Sequence, residues 1–456
     1  MLYQGSKWGL GLILAIALAW WFLQPLGRPA FEVAASETQP EVIPDKTTGD
    51  HWPAFRGPKG NGVSESKQPP THWSAKQGLL WATSLPGPGS SSPIVYGEKV
   101  FVTCYSGYGD GSEGKVDNLQ RHLICFDRRS GNILWNVTVK SLFEEDPYRG
   151  FITEHGYASS TPVTDGNSVF AFFGKSGVHA FDMAGKPLWK TSVGTRSGNR
   201  RWGSAASPIL FGEVVIINAS EESRSIQALD KKTGKLVWKA EGNILELSYG
   251  TPVIQEILGK KPELVLSVPG EIWGVNPLTG GLKWFAKTKL PGNVSPSLCL
   301  AEGLAISFGG YPSSSVAVKT GGSGDVTSTN IAWTGSKSSY IPSGVVKGKH
   351  LYWVNDRGLA TCAEAATGNI LFQERIGIGS GEGAFPVYGS TVLAGENLYT
   401  VTRRNGVLVW KASETYTKVS FNTIEGDETD FNPSLAISEN NLFIRSNKAI
   451  YCIGVK

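Results

Sequence analysis

The chain alternates short apolar runs with polar, glycine-containing turns along most of its length. Ser207 to Leu210, Val214 to Asn218, Ser225 to Leu229 and Lys235 to Lys239 are four such runs. Phe211-Gly212-Glu213, Glu221-Glu222-Ser223 and Lys231-Lys232-Thr233-Gly234 separate them. Apolar runs of this length between turn residues read as strands. The set of four recurs. A small residue and a proline open it at Pro93, Pro162, Pro208, Pro252, Pro296 and Pro433, with degenerate openings near Ser343 and Thr391. That makes eight copies at a period of roughly 45 residues, and four strands in such a unit mean propeller blades. The first spacing is longer and holds insertions near 106–120 and 141–158.

The eighth copy supplies three strands between Phe431 and Gly454, and Gln77 to Ser84 matches the missing fourth. The expected fold class is therefore all-β: an eight-bladed β-propeller of four-stranded antiparallel blades, closed by an N-terminal strand and preceded by one N-terminal hydrophobic helix. Three regions follow: 1–35 as signal peptide or signal-anchor helix, 36–77 as tether and lead-in, and 78–456 as propeller.

Each copy also places a large ring four residues after a glycine turn, as in Thr233-Gly234-Lys235-Leu236-Val237-Trp238. Trp81, Trp135, Trp189, Trp238 and Trp284 are the expected structural tryptophans, on the outer strand of each blade and filling the wedge to the next. Trp333 fits the phrase loosely and Phe372 replaces the ring. Trp410 aligns instead with Phe181 on a third strand. Cys125, Cys362 and Cys452 align with Ala180, Ala228 and Gly274, a small-residue position, and read as buried structural thiols. Cys104 and Cys125 fall on neighbouring strands, which leaves a disulfide open. Cys299 carries no signal.

Composition narrows the function classes. Hydrophobic residues are 40% and charged residues 18% of 456, enough for a core and too little charge for a disordered or coiled-coil chain. The net charge of +4 is dispersed without a basic run, which argues against nucleic acid as a partner. No cysteine pair has CxxC spacing, so zinc and thioredoxin-type sites are not expected. Lys7 precedes an uncharged stretch from Trp8 to Leu23. It is long for a signal peptide and short for a spanning helix. Either reading exports the chain to the periplasm or cell envelope, held at the inner membrane by the N-terminal helix or secreted after cleavage. The polar residues from Ser36 onward read as a tether.

The phrase Ala228-Leu229-Asp230-Lys231-Lys232-Thr233-Gly234-Lys235-Leu236-Val237-Trp238 resembles the pyrroloquinoline quinone (PQQ) repeat, over roughly residues 78–456. That resemblance implies an eight-bladed ring shared by quinoprotein alcohol dehydrogenases and by a non-enzymatic BamB-like branch. Trp52-Pro53-Ala54-Phe55-Arg56-Gly57-Pro58, with Asn61-Gly62, resembles the lead-in of exported planctomycete-type propellers. The dehydrogenases imply a vicinal cysteine disulfide, calcium ligands and an aspartate base. No two cysteines are adjacent here and no stretch matches the aspartate motif. Without that base, proton abstraction from an alcohol is lost. The expectation leans away from an enzyme, with no catalytic residue, no metal ligand and no bound cofactor, PQQ and calcium being the alternatives. The acidic insertion from Asp110 to Asn118 departs from calcium-loop spacing.

The loops leading into each first strand are the expected place for a site. Three carry candidate binding residues: Glu154, His155 and Tyr157; Arg200, Arg201 and Trp202; Glu246 and Tyr249. They suit a pocket for an anionic group or a peptide. The competing reading pairs Glu154 and Glu246 with Arg200 or Arg201 as a plug. The leading functional expectation is a monomeric, membrane-tethered scaffold for an envelope protein or peptide partner. A quinone-binding oxidoreductase and a small-ligand or polysaccharide-binding propeller are the alternatives.

Overall fold

The computed structural model describes residues 50–455, except 75, 142, 257–260, 291, 378–384 and 405, together with the strand Glu32–Ala35. The expected N-terminal hydrophobic helix lies outside the described residues. Among the described residues no helix is long and apolar enough to cross a membrane.

Eight four-stranded antiparallel units form the ring. Blade one uses Ile94–Tyr96, Lys99–Ser106, Gln120–Asp127 and Ile133–Lys140. Blades two to seven follow over 163–191, 209–241, 253–287, 299–335, 345–375 and 392–422. Blade eight takes its first three strands from 436–453 and its outer strand from Leu79–Ser84, which pairs with Ala449–Ile453. The N-terminal strand therefore closes the ring and removes the edge that an open array would expose. Three blades carry an extra strand. Glu32–Ala35 pairs antiparallel with the outer strand of blade three. Gly324–Asp325 and Val63–Ser64 add parallel strands to blades four and seven.

The outer strands of blades one to four are built the same way. Trp135, Trp189, Trp238 and Trp284 stand opposite Cys125, Ala180, Ala228 and Gly274, and the register shifts by one at that point in every case. The small-residue position exists because the ring lies across it: a Cβ on Gly274 would stand 2.1 Å from the Trp284 ring. The ring's other face meets the next blade. Trp189 Nε1 donates to Lys231 O at 2.8 Å, and the turn glycine Gly234 lies on the indole. Trp81, Trp135, Trp238 and Trp333 make the equivalent bond to Arg128, Met183, Pro277 and Ala365. Trp333 thus plays the same part despite its looser sequence fit. Trp284 departs, donating to Glu263 Oε2 at 2.8 Å. The corresponding turn of blade five is a longer connection, whose Gly324–Asp325 strand runs beside it. Trp410 is on a third strand, paired with Lys418.

All five cysteines are buried and free. Cys104 pairs across the strands with His122, and Cys125 with Phe101. The two are three positions out of register, roughly 10 Å along a strand, so the disulfide left open by sequence does not form.

The axis is lined by a collar of hydroxyls, one from each blade. The N–H of Ser92 donates to Thr161 Oγ1, Thr161 to Ser207, Ser207 to Thr251, and Thr251 to Ser297, all within 2.9–3.0 Å. Ser297 continues to Ser343, Ser343 to Ser390 and Ser390 to Ser434. This corrects the opening phrase in two blades. Pro296 and Pro433 stand two residues before the equivalents of Pro93, because the hydroxyl and not the proline makes the contact between blades. At the seam of blades eight and one, Arg445 takes over. Its Nη1 donates to Ser91 Oγ at 2.9 Å and Thr103 O at 2.5 Å. The lead-in lies across the opposite face, with Trp52 bridged to Val95 and Arg56 buried beneath the collar.

The docking of glycine turns on tryptophan sets a stability test. At Gly234, φ is +69° and a Cβ would stand 2.5 Å from Trp189. At Gly270, φ is +75° and nothing lies within 4 Å. Gly270→Ala is expected to cost about 1 kcal/mol and Gly234→Ala about 3 kcal/mol, read as urea-denaturation free energies. Equal costs would mean that the ring does not bear on the turn.

Candidate functional site

The loops that join each outer strand to the next blade gather on one face, around a funnel of about 160 Å³ whose floor is the hydroxyl collar. Its wall is aromatic, with Phe151, Trp202, Tyr249, Tyr340 and Tyr388, and Phe55 of the lead-in also lines the cavity. Phe151 comes from the insertion after blade one, just before the single turn Ile152–His155. It reaches both Trp202, at a ring separation of 4.6 Å, and Tyr340, at 6.0 Å. The insertion therefore bridges loops that belong to distant blades.

His155 is fixed in the wall. Its Nε2 faces the carbonyl of Trp202 at 2.8 Å, so this nitrogen carries the proton. Nδ1 is then the acceptor for Ser159 Oγ–H at 2.5 Å. Burial lowers its pKa and keeps the ring neutral.

The other candidates divide. Trp202 and Tyr249 line the funnel with His155. Arg200 is exposed and stacks over Trp202 at 5.7 Å. Arg201 is exposed on a left-handed backbone at φ +52°. Tyr157 points away, donating to Asp146 O at 2.6 Å and packing on Tyr105. The plug pairing of the two glutamates with Arg200 or Arg201 is not what forms. Glu154 pairs with Arg403 at 2.7 Å, and Glu246 with Arg224 at 2.9 Å. Arg403 comes from a turn remote in sequence from Glu154, whereas Arg224 comes from the turn just before the outer strand that leads to Glu246.

Sequence reasoning missed Phe151, Tyr340 and Tyr388, which have no repeat signal because each sits in a loop of its own length. It also missed two buried acids behind the wall. Glu222 accepts a hydrogen bond from Ser204 Oγ, and Glu221 accepts the N–H of Gly198 at 3.2 Å and of Leu247 at 3.3 Å. These contacts tie together the loops that carry Trp202 and Tyr249. Desolvation raises both carboxyls to about 7. The collar could have been found, since a serine or threonine precedes most of the repeated prolines.

A family profile described as outer membrane protein assembly factor BamB matches residues 119–374. No curated protein matches the chain in sequence. Among solved structures, BamB from Moraxella catarrhalis is similar at a TM-score of 0.56 and 12% identity, covering 83% of this chain and 97% of that one. A europium-containing methanol dehydrogenase is similar at 0.62 and 10% identity, covering 90% and 99%. The computationally designed Ika8 protein is similar at 0.53 and 12% identity, covering 83% and 99%. Identities this low show the fold alone. The profile, which spans more than half of the chain, agrees with the repeat, the eight blades and the tryptophan docking: the chain belongs to the PQQ-like propeller family described as outer membrane protein assembly factor BamB.

Proposed function

We propose that this chain is a binding propeller, not a catalyst, and that its axial funnel receives a small ligand with a flat face. The carrying observation is the arc of rings at the mouth. Tyr249, Trp202, Phe151 and Tyr340 follow one another at ring separations of 6.0, 4.6 and 6.0 Å. Such rings hold a planar or sugar-like face by dispersion and by their quadrupoles. Both nitrogens of His155 are already engaged, by Trp202 O and Ser159 Oγ, so this imidazole is not free to move a proton. Calcium–quinone chemistry fits poorly. Among the described residues no three His, Cys, Asp or Glu converge, and no carboxylate lines the funnel. The segment from Trp8 to Leu23 supports placing the propeller in the cell envelope, tethered or secreted.

A second reading, a scaffold for an envelope protein, is favoured by the flank. Ile133, Leu134, Leu188 and Leu236 are exposed on the outer strands of three consecutive blades. An apolar flank of this kind suits a protein partner. The two readings use different surfaces and are compatible.

The funnel reading is tested by titrating the chain with PQQ, sugars and aromatic acids while following tryptophan fluorescence. At least one is expected to bind saturably, and Trp202→Ala and Phe151→Ala each to weaken it about tenfold, roughly one stacking contact. Silence from the whole panel at millimolar concentration would remove the reading. The buried glutamates set a pH test. Their pKa values are raised on folding, so the stability present below about 4.5 is lost as pH rises through about 7. The melting temperature is expected to fall between pH 5 and pH 8, and Glu222→Gln to flatten that slope.

A further inference from the structure

We infer that the floor of the funnel is an oxyanion subsite, so that the funnel's ligand carries a carboxylate or an equivalent anionic head directed at the collar. The inference rests on the reading of the funnel as a ligand site, and three observations support it.

The first is the collar itself. Seven of its members, all but Thr161, line the cavity. Thr161, Ser207, Thr251, Ser297, Ser343, Ser390 and Ser434 each accept an N–H through the hydroxyl oxygen. A hydroxyl still has one proton to donate. Among the described residues, none of these protons has a protein acceptor within hydrogen-bond reach. The floor is thus a ring of O–H donors without acceptors.

The second is uncompensated positive charge around that ring. Arg56, 1% exposed, lies beneath it. Its Nη2 donates to Gly344 O, next to Ser343, and to Asn61 O at 3.1 Å. Its Nε and Nη1 have no partner. Arg445, equally buried, holds the seam beside Ser92, and its Nη2 has no partner either. Among the described residues no carboxylate stands within ion-pair distance of either guanidinium. The neighbouring thiols, Cys299 at Arg56 and Cys104 at Arg445, do not neutralise them, because burial pushes both thiols up. Arg445 is lowered to about 10 and remains a cation at neutral pH. Two buried cations in a medium of low dielectric are costly unless an anion approaches. They act through the collar by their field, not by contact.

The third is the absence of competing negative charge. No Asp or Glu lines the cavity. At the rim, Glu154 and Asp430 are held by Arg403 and Arg404. Glu221 and Glu222 lie behind the wall. Head and body then orient themselves: the anion takes the donors at the floor, and the flat body meets the rings above.

The head group could belong to an aromatic acid or a sugar acid, and matched pairs distinguish these sources. Calorimetry on the intact protein compares benzoate with benzamide, and glucuronate with glucose. The acid of at least one pair is expected to bind at least about tenfold more tightly than its neutral partner, as for a charge-assisted contact. Arg56→Met is expected to erase that preference while leaving the neutral partner's affinity unchanged. The comparison on the unaltered protein stands even if that variant fails to fold. Neutral partners binding as tightly as the acids would overturn the subsite and leave the funnel reading intact. Failure of all four probes in a protein that also ignores PQQ would remove both.

Discussion

Among the described residues, five of the eight junctions between blades rest on one contact, an indole ring caught between a small residue of its own blade and a glycine turn of its neighbour: Trp81 on Gly131, Trp135 on Gly185, Trp189 on Gly234, Trp238 on Gly280 and Trp333 on Gly368. The ring needs three things at once. The residue opposite it on the third strand must be small, as Ala180 is at Trp189. The turn above it must lack a Cβ and accept a left-handed backbone, as Gly234 does. A carbonyl must face the indole N–H, as Lys231 O does at 2.8 Å. Because each turn belongs to the following blade, satisfying one docking fixes the angle between two blades, and repeating it closes a circle. The circle completes only because Leu79–Ser84, carrying Trp81, is delivered to blade eight.

Closure creates the site as a by-product. Eight first strands converge on the axis, and each brings one hydroxyl to the same height. The N–H to Oγ bonds satisfy backbone donors that would otherwise be buried without partners. They use the oxygen and leave the proton. The chain of bonds breaks at the seam, where Arg445 makes the link with a charge in place of a hydroxyl. A second charge, Arg56, enters from the lead-in on the other face. The collar thus gains a positive setting from two residues that belong to no repeat.

The upper face obeys different physics. Its loops are free of the repeat, so they vary in length and residue, and they find partners across the axis. Phe151 reaches Trp202 and Tyr340 from an insertion in blade one. Glu221 and Glu222 pin two neighbouring loops from behind. Such contacts have no sequence period, which is why the pairing of Glu154 with Arg403 instead of Arg200 or Arg201 could not be anticipated.

What the chain's sequence determined by itself is the repeat and its geometry. Alternating apolar runs, the glycine-to-tryptophan spacing and the small-residue position fix eight four-stranded blades, the role of Trp189 or Trp238, and the placing of Trp410 on a third strand. These are local patterns, and local patterns repeat. Register was legible only where proline and hydroxyl coincide. In blades five and eight they separate, and the prolines at 296 and 433 point two residues early. Only the tertiary structure decided which loop residues share the funnel, which charges are paired and which are left alone. Those relations join groups hundreds of residues apart, as Arg56 meets the carbonyl of Gly344 and Arg445 the hydroxyl of Ser91, and they exist only once the ring has closed.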